Sequence, residues 1–560
     1  MLKEHIPGEV MYNNEDSKRS NFIVQGGFLA ITGIISRIIG LVYRIPLQKK
    51  IGDSGMGYYS AAFQIYSIML IISSYSLPTA VSKLVAMRVA KGQYRNAKKI
   101  FHGALLFACI TGGASCLIVL FGADAMASNI MNLPKSAIAL RILDPILLIV
   151  AVMGVIRGYF QGLGTMMPTA FSQLFEQIIN AVVSVVAAIY LFEYGSKVSR
   201  LLHDDTYSAA YGAAGGTLGT GAGALAGVMM LGAMFFIHNR MMKVNVSNDA
   251  TQKNDGFPKI FRLLILTILP VILSSTIYNI SDVIDQGIFG SMMAKKGMSE
   301  HDIASYWGIF STKYKVIINV PVALANALCS SIMPSLTACV EQGKHKLAKH
   351  KVRLGMRFVM IIAFPCAMGL SVLGKPILSM LFSGEIEIPA MLLRVGSVTV
   401  ILYSMSTLSN GVLQGINKMN VPVRNAAIAL LIHVGVLYLC VGVLDLKLYG
   451  VVIAVIVFAL IICTLNWINI GRYLTYRQEI RKTFVIPFAA SSIMGIVIGL
   501  MYLLIGKYAG ETIGTLLSIV IGACVYFVAL LKLHGVNENE IRSFPGGDLL
   551  AKIAIVLHLL

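Results

Sequence analysis

Charge is what this chain has least of. Aspartate and glutamate together number 26 in 560 residues, against 46 lysines and arginines, and charged residues of both signs make up 13%. With 56% hydrophobic residues and a mean hydropathy of +0.76, that shortage excludes an ordinary soluble domain. The apolar runs do not alternate with polar residues, which excludes the strands of an outer-membrane barrel and leaves helices. Eight cysteines (Cys109, Cys116, Cys329, Cys339, Cys366, Cys440, Cys463, Cys524) lie in or beside apolar runs without ligand spacing, so they read as small reduced core residues. The first 21 residues have no apolar core of a cleavable signal and read as a cytoplasmic tail. No nucleophile–base pair, phosphate loop or metal-ligand cluster is legible, so the expectation is no catalytic residue, no metal and no cofactor.

What is present is a series of apolar runs of about 20 residues, each long enough to cross roughly 30 Å of hydrocarbon as a helix. The expected spans are 22–45, 58–82, 101–122, 137–160, 169–192, 216–238, 260–290, 303–338, 354–374, 389–413, 422–443, 448–471, 484–505 and 511–532. The net charge of +20 concentrates in alternate loops. Lys83, Arg88, Lys91, Arg95, Lys98 and Lys99 stand together without an acid, as do Lys344, Lys346, Lys349, Lys351, Arg353 and Arg357. Intervening loops such as 193–205 and 375–387 are balanced or acidic. This positive-inside pattern places both termini in the cytoplasm and assigns the basic residues to topology and anionic membrane lipids, not to nucleic acid.

The sequence also repeats itself. "VAKGQYRNAKKIFHGALLFACI" (89–110) resembles "VEQGKHKLAKHKVRLGMRFVMI" (340–361), and "LRILDPILLIVAVMGVIRGYFQG" (140–162) resembles "LRVGSVTVILYSMSTLSNGVLQG" (393–415). Each block of the second pair is soon followed by a proline, Pro168 or Pro422. Two blocks at one offset of about 250 residues indicate tandem duplication of a six-helix unit. The expected organisation is an N-terminal tail (1–21), an N-lobe (22–240), a C-lobe (241–472), two added helices (473–532) and a cytoplasmic or interfacial segment (533–560). Copies in the same orientation make two lobes with a central cavity, the setting of alternating access.

The order of these features carries a family likeness. The six-plus-six duplication, "SRIIGLVYRIPL" (36–47), the "GYFQG" and "GVLQG" turns and "MPSL" (333–336) resemble the MOP exporter superfamily. The two extra C-terminal helices and the first-helix arginines resemble its MurJ-type lipid II flippases and the related stage V sporulation protein B and polysaccharide exporters. The resemblance implies an all-α polytopic protein of the bacterial cytoplasmic membrane. Its implied work is to move an undecaprenyl-pyrophosphate-linked cell-wall precursor, lipid II foremost, between leaflets for peptidoglycan synthesis and cell shape. Cell-wall synthesis proteins are the implied partners, with coupling to membrane potential or a monovalent cation.

Candidate substrate contacts are the charges inside apolar runs. Arg37 and Arg44 are seven residues apart, so they differ by about 20° around a helix and share a stripe with Gly33 and Gly40. An ionised side chain in hydrocarbon costs about 2.5–3.5 kcal/mol unless it faces a polar cavity or a partner, and guanidinium forks suit phosphate oxygens. The resemblance implies that role for Arg37; for Arg44, snorkelling to the interface is the competing reading. Lys313 and Lys315 in "STKYKVIINVP" occupy a region where the family often has arginine, with a solvated position near the outer surface as the alternative. Asn279, Asp282 and Asp285 in "NISDVIDQG" are three apart, as cavity counter-ions, coupling-ion ligands or a helix cap. The run that supplies an aspartate in some MurJ proteins has here only Asn425 and His433, which weighs against sodium. Glu176 lacks a sequence-local partner and reads as a cavity residue or a buried neutral carboxyl. Arg141, Asp144 and Arg394 read as structural residues at helix ends, and the glycine-rich 212–227 as a loop entering a tightly packed sixth helix.

Three rivals differ in cargo or class. A teichoic acid, capsule or spore-wall exporter keeps the fold. A multidrug cation antiporter predicts twelve helices and a carboxylate-rich cavity. A membrane glycosyltransferase predicts an acidic constellation in a long outer loop, and the outer loops here are short.

Overall fold

The computed structural model describes residues 28–29, 31–247, 249, 256–538 and 552. The tail 1–21 and most of the segment 533–560 fall outside these residues. Every regular element among the described residues is helical, as expected where the surroundings offer the backbone no hydrogen bonds.

Among the described residues, fourteen helical rods follow one another. Helix α1 (Ile31–Val42) continues past Tyr43 into Arg44–Leu70, and that element breaks at Gly52 (φ 71°, ψ −176°), an extended, left-sided conformation that only glycine adopts without strain. The stretch 46–57, expected as a connection, is therefore helix up to that single residue. Helix α2 is the remainder, through a π-helical turn (Ile71–Tyr75) to Leu77–Val89. Then come α3 (Tyr94–Ile130), α4 (Ser136–Gly162), α5 (Met167–Leu202), α6 (Thr206–Ser247) and α7 (Phe257–Lys295). Helix α8 runs from Glu300–Gly308 through the π-helical Ile309–Tyr314 into Lys315–Glu341. It is followed by α9 (His345–Leu381) and by α10, whose halves Glu387–Gly396 and Val398–Gly415 meet at 50°. Helices α11 (Asn420–Val443), α12 (Lys447–Leu474), α13 (Arg481–Val485 and Ile486–Ala509) and α14 (Glu511–Lys532) complete the order. Among the described residues, ten helices are long and apolar enough to cross a membrane, eleven with the bent α10. Their outer faces carry residues that water would drive inward, such as Leu106, Ile110, Leu117 and Phe121 on α3.

Two compact units emerge. One extends through Gly290 and includes Ser299–Ser305; the other holds Ser291–Met298 and the chain from Tyr306 onward. In the first, α7 packs with the preceding helices: a Cβ on Gly103 of α3 would lie 2.9 Å from Ile260.

The glycine-rich stretch 212–227, expected as a loop leading into a tightly packed helix over 216–238, lies wholly inside α6, which begins ten residues earlier than expected. Glycine's low helix propensity is a preference of about 1 kcal/mol, and close packing outweighs it. Gly215, Gly219 and Gly223 recur every fourth residue and face α5, and Gly227, next in the row, sits between α4 and α5. Added Cβ atoms on the first three would stand 2.5 Å from Ala187 O, against Ser184 Oγ and 2.6 Å from Glu176 O, and on Gly227 3.1 Å from Met153 Sδ and 3.6 Å from Glu176 Cβ. Ser184 Oγ donates to Gly216 O across the seam at 2.8 Å. On α4, Gly158 and Gly162 do the same against Pro78 and Val85 of α2. These contacts seat α6 on α5 and α4 on α2.

At one end of this unit, three connections are tied by a lysine. Lys135 Nζ lies 2.6 Å from Asp204 Oδ2 and 3.5 Å from Glu300 Oε2, bonds Thr206, and sits 4.9 Å from the Tyr207 ring centre. Burial alone would lower the Lys135 ammonium, but its bonds to Asp204 and Glu300 more than offset this and raise it. The hydrogen bond from Lys135, then that from Thr206, hold the Asp204 carboxyl down at about 2. A depressed carboxylate stabilises fully above its ordinary range and is lost only as pH falls toward 2, so the tether is intact at neutral pH.

The α5–α6 seam gives opposite signs for two glycines on one helix. Gly219→Ala is expected to lower the thermal midpoint of the purified protein, with an overpacking cost of about 1–3 kcal/mol. Gly232→Ala, where an added Cβ meets nothing within 4 Å, is expected to leave it unchanged or raise it slightly. Equal midpoints for the two variants would contradict the packing.

Candidate functional site

The first unit brings most of the intramembrane charge together around α1, α4 and α5. Helix α1 lies along α5: Phe28 and Phe171 have ring centres 5.7 Å apart, and a Cβ on Gly40 would lie 4.0 Å from Gln177 Oε1. The outermost side of α1 is a row of exposed isoleucines, Ile31, Ile34, Ile35 and Ile38, whereas Thr32 and Ser36 are buried. Arg37, Gly33 and Gly40 run between these two faces. Arg37 is exposed and makes no hydrogen bond or ion pair with another described residue, and the space beside Gly33 is open.

Arg44 sits differently. It is half-buried next to the phenols of Tyr43 and Tyr59, whose hydroxyls bond each other at 2.9 Å. Its Nε is buried without a hydrogen-bond partner. The guanidinium is thus enclosed against two phenols and hydrogen-bonds that of Tyr43.

Glu176, which has no sequence-local partner, has one on the neighbouring helix. Arg157 on α4 donates from Nη2 to Glu176 Oε2 at 2.7 Å and from Nε to Ser172 Oγ at 3.1 Å, and the two charged side chains are 16% and 19% exposed. The partner lies 19 residues away in sequence, at a separation that no helical periodicity reveals. Arg157 was legible only as an arginine inside the apolar run "GVIRGYFQG". Gly227 leaves room at the same place, its added Cβ 3.8 Å from Glu176 Oε2.

The acids of α7 are not one uniform face. Asn279 is exposed and donates to Ser275 O at 2.8 Å, Asp282 is half-buried, and Asp285 is 2% exposed. A spacing of three advances about 60° short of a full turn, so across two steps the row winds from the surface into the interior. Arg141 pairs with Asp124 at 2.6 Å, both exposed, while Asp144 is buried.

In the second unit, the two lysines part company. Lys313 is fully buried, and its ammonium donates to the carbonyls of Ser383 and Glu385, both at 2.7 Å; it ties the connection before α10 to α8 instead of standing in solvent. Lys315 is half-buried and also has a polar neighbour. Asn425 and His433 are buried and bonded: Asn425 Nδ2 donates to Asn466 Oδ1 at 2.9 Å, and His433 Nδ1 lies 2.9 Å from Ala454 O. Asn466 in turn donates to Ser409 Oγ and Asn410 Oδ1. Helix α13 contributes to an apolar groove of about 410 Å³ lined by Val372, Gly495, Ile496, Gly499, Leu500, Tyr502 and Leu503. Among the described residues there is no group of three or more His, Cys, Asp and Glu placed to hold a metal.

Three comparisons bear on this arrangement. A family model described as polysaccharide biosynthesis protein matches residues 23–340, more than half of the chain, and one described as MatE matches 270–439. The chain is 25% identical over 553 residues to lipid II flippase MurJ of Bacillus subtilis (strain 168), covering 94% of this chain and 98% of that protein. It is 24% identical over 521 residues to stage V sporulation protein B of the same organism, covering 92% and 96%. Among solved structures, lipid II flippase MurJ in an inward closed conformation superposes with a TM-score of 0.64 at 14% identity, over 90% of this chain and 97% of that one. An inward-facing multidrug resistance MATE transporter of the MOP superfamily reaches 0.59 at 16% identity, over 79% and 98%. These structures share the fold.

Lys313→Met separates a structural lysine from a substrate contact. Removing two charge-assisted bonds, each worth about 1.5–3 kcal/mol, is expected to lower the thermal midpoint clearly. An unchanged midpoint with abolished transport would show that the ammonium serves the substrate.

Proposed function

Since the chain belongs to the polysaccharide biosynthesis protein family and is a MOP superfamily transporter of the MurJ type, we propose that it flips an undecaprenyl-pyrophosphate-linked cell-wall precursor, lipid II foremost. The movement is from the inner to the outer leaflet of the bacterial cytoplasmic membrane by alternating access, with both termini on the cytoplasmic side. Arg37 carries this reading: a guanidinium within an apolar helix, exposed, unengaged by any described residue and flanked by open space at Gly33. Such a cation is costly unless a polar ligand or cavity meets it, and a pyrophosphate offers its fork paired oxygens.

The other features fit the same cargo. Arg44 and its two tyrosines continue the stripe toward the far end of α1. The apolar groove at Val372 and α13 suits a polyprenyl chain, which stays in lipid while the head group crosses. Membrane potential is a driving force available to this design, since one charge crossing 100 mV gains about 2.3 kcal/mol. A second cargo, another lipid-linked oligosaccharide of the teichoic acid, capsule or spore-wall kind, is favoured by the near-equal identity to the sporulation protein. The antiporter reading is weaker, because the MATE structure is covered almost completely while about a fifth of this chain extends beyond it.

Complementation tests the proposal. In a strain depleted of its lipid II flippase, the wild-type chain is expected to restore growth, and Arg37→Ala at matched membrane abundance is not. Rescue by both would remove Arg37 from the mechanism; a well-expressed wild type that fails would transfer the reading to the second cargo.

A further inference from the structure

The Arg157–Glu176 pair is unexplained by packing. Desolvating two charges costs several kcal/mol per ion, and neutral groups of similar volume at such a place are commonly as stable or more so. The chain contains its own comparison. The repeat block that contains Arg157 recurs 253 residues on, where Asn410 takes its place, and Glu176 falls on the apolar pair Ala429 and Leu430. There Asn410 is held without charge through α12: Asn466 Nδ2 bonds Asn410 Oδ1 at 2.7 Å and Ser409 Oγ at 2.9 Å, and Asn425 of α11 donates to Asn466 Oδ1 at 2.9 Å. The fold therefore has a neutral solution, and the first unit uses an ionic one.

The pair is also under-engaged. Arg157 meets Glu176 through one nitrogen and one oxygen, not through the two parallel bonds that make arginine–carboxylate pairs strong. Its Nη1 and the Oε1 of Glu176 have no hydrogen-bond partner among the described residues. The turn of α5 that carries Glu176 is the turn that meets α1, since the neighbouring Gln177 faces Gly40, one turn from Arg37.

We infer that Arg157 is a second anion-binding residue of the transport site and that Glu176 is its resident counter-ion, which a phosphoryl group of the substrate displaces. In the empty protein, the carboxylate keeps the guanidinium neutralised and aimed. When the substrate enters, its phosphate oxygens replace the single carboxylate bond with a bidentate contact, and Arg157 and Arg37 share the head-group charge. This rests on the pyrophosphate-lipid reading above and adds to it both a second cation and a competitor built into the protein.

The test uses the full chain in nanodiscs and measures equilibrium binding of geranylgeranyl pyrophosphate, with geranylgeraniol as the uncharged control and inorganic pyrophosphate as the head group alone. Glu176→Gln keeps a hydrogen-bond acceptor for Arg157 but removes the competing charge. It is expected to tighten binding of the pyrophosphate lipid about tenfold, the scale of one charge-assisted bond, without changing binding of the alcohol. Arg157→Gln is expected to weaken it by a similar factor, and Arg157→Lys to recover part of the loss. Thermal midpoints recorded alongside identify folded variants. Unchanged affinity in folded Glu176→Gln, or affinities that fall together in both variants, would make the pair structural and overturn the inference. If wild-type binding still requires Arg37 in that case, the cargo reading stands alone. Indifference of the wild type to the pyrophosphate lipid would remove both, and binding of inorganic pyrophosphate as tight as that of the lipid would overturn the assignment to a lipid head group.

Discussion

A helix in hydrocarbon has no water to satisfy a stray polar group, and this one constraint governs the chain. It forces the backbone into helices, removes the hydrophobic effect as a force between them and leaves close packing to hold them together. The four-residue glycine spacing of α6 is the response: it brings α5 and α6 near enough for a side chain to meet the opposing backbone. At Gly227 the same helix meets both Met153 of α4 and Glu176 of α5, and beside that point Arg157 and Glu176 face each other at hydrogen-bond distance inside the membrane.

The same constraint makes each intramembrane charge informative. Lys313 is a charge satisfied by carbonyls, and its work is structural. Arg44 is enclosed by phenols. Arg157 has a counter-ion held by one bond. Arg37 has none among the described residues. Of these four cations Arg37 is the one to which the described residues supply least, and there an anionic ligand gains most. The second unit places Asn410 where the first places Arg157, and Ala429 and Leu430 where the first places Glu176, so this ion pair is a property of one lobe and not of the repeated fold.

Much of this was legible in the sequence. Hydropathy gave fourteen segments because each has to cross the same thickness of hydrocarbon, and the duplication survived as two matching blocks. The stripe of Arg37, Gly33 and Gly40 followed from helical spacing, which is local. What failed was tertiary or contextual. The entry to the glycine-rich stretch 212–227 read as a loop because glycine disfavours helix in water, whereas here the helix already runs from Thr206. The connection 46–57 shrank to Gly52 because helix continues wherever nothing stops it. Glu176 lacked a visible partner, and Lys313 a visible cage, because both depend on which helices become neighbours.

The central claim is that this chain moves a pyrophosphate-linked lipid across the bilayer by way of the cations of its first unit. The most direct measurement is leaflet exchange in proteoliposomes, using a fluorescent polyprenyl-pyrophosphate-linked saccharide and a membrane-impermeant quencher. The prediction is that wild-type protein renders the inner-leaflet lipid accessible, that Arg37→Ala slows this strongly, and that a fluorescent phospholipid without pyrophosphate is not exchanged. Equal exchange of both lipids, or exchange indifferent to Arg37, would contradict it.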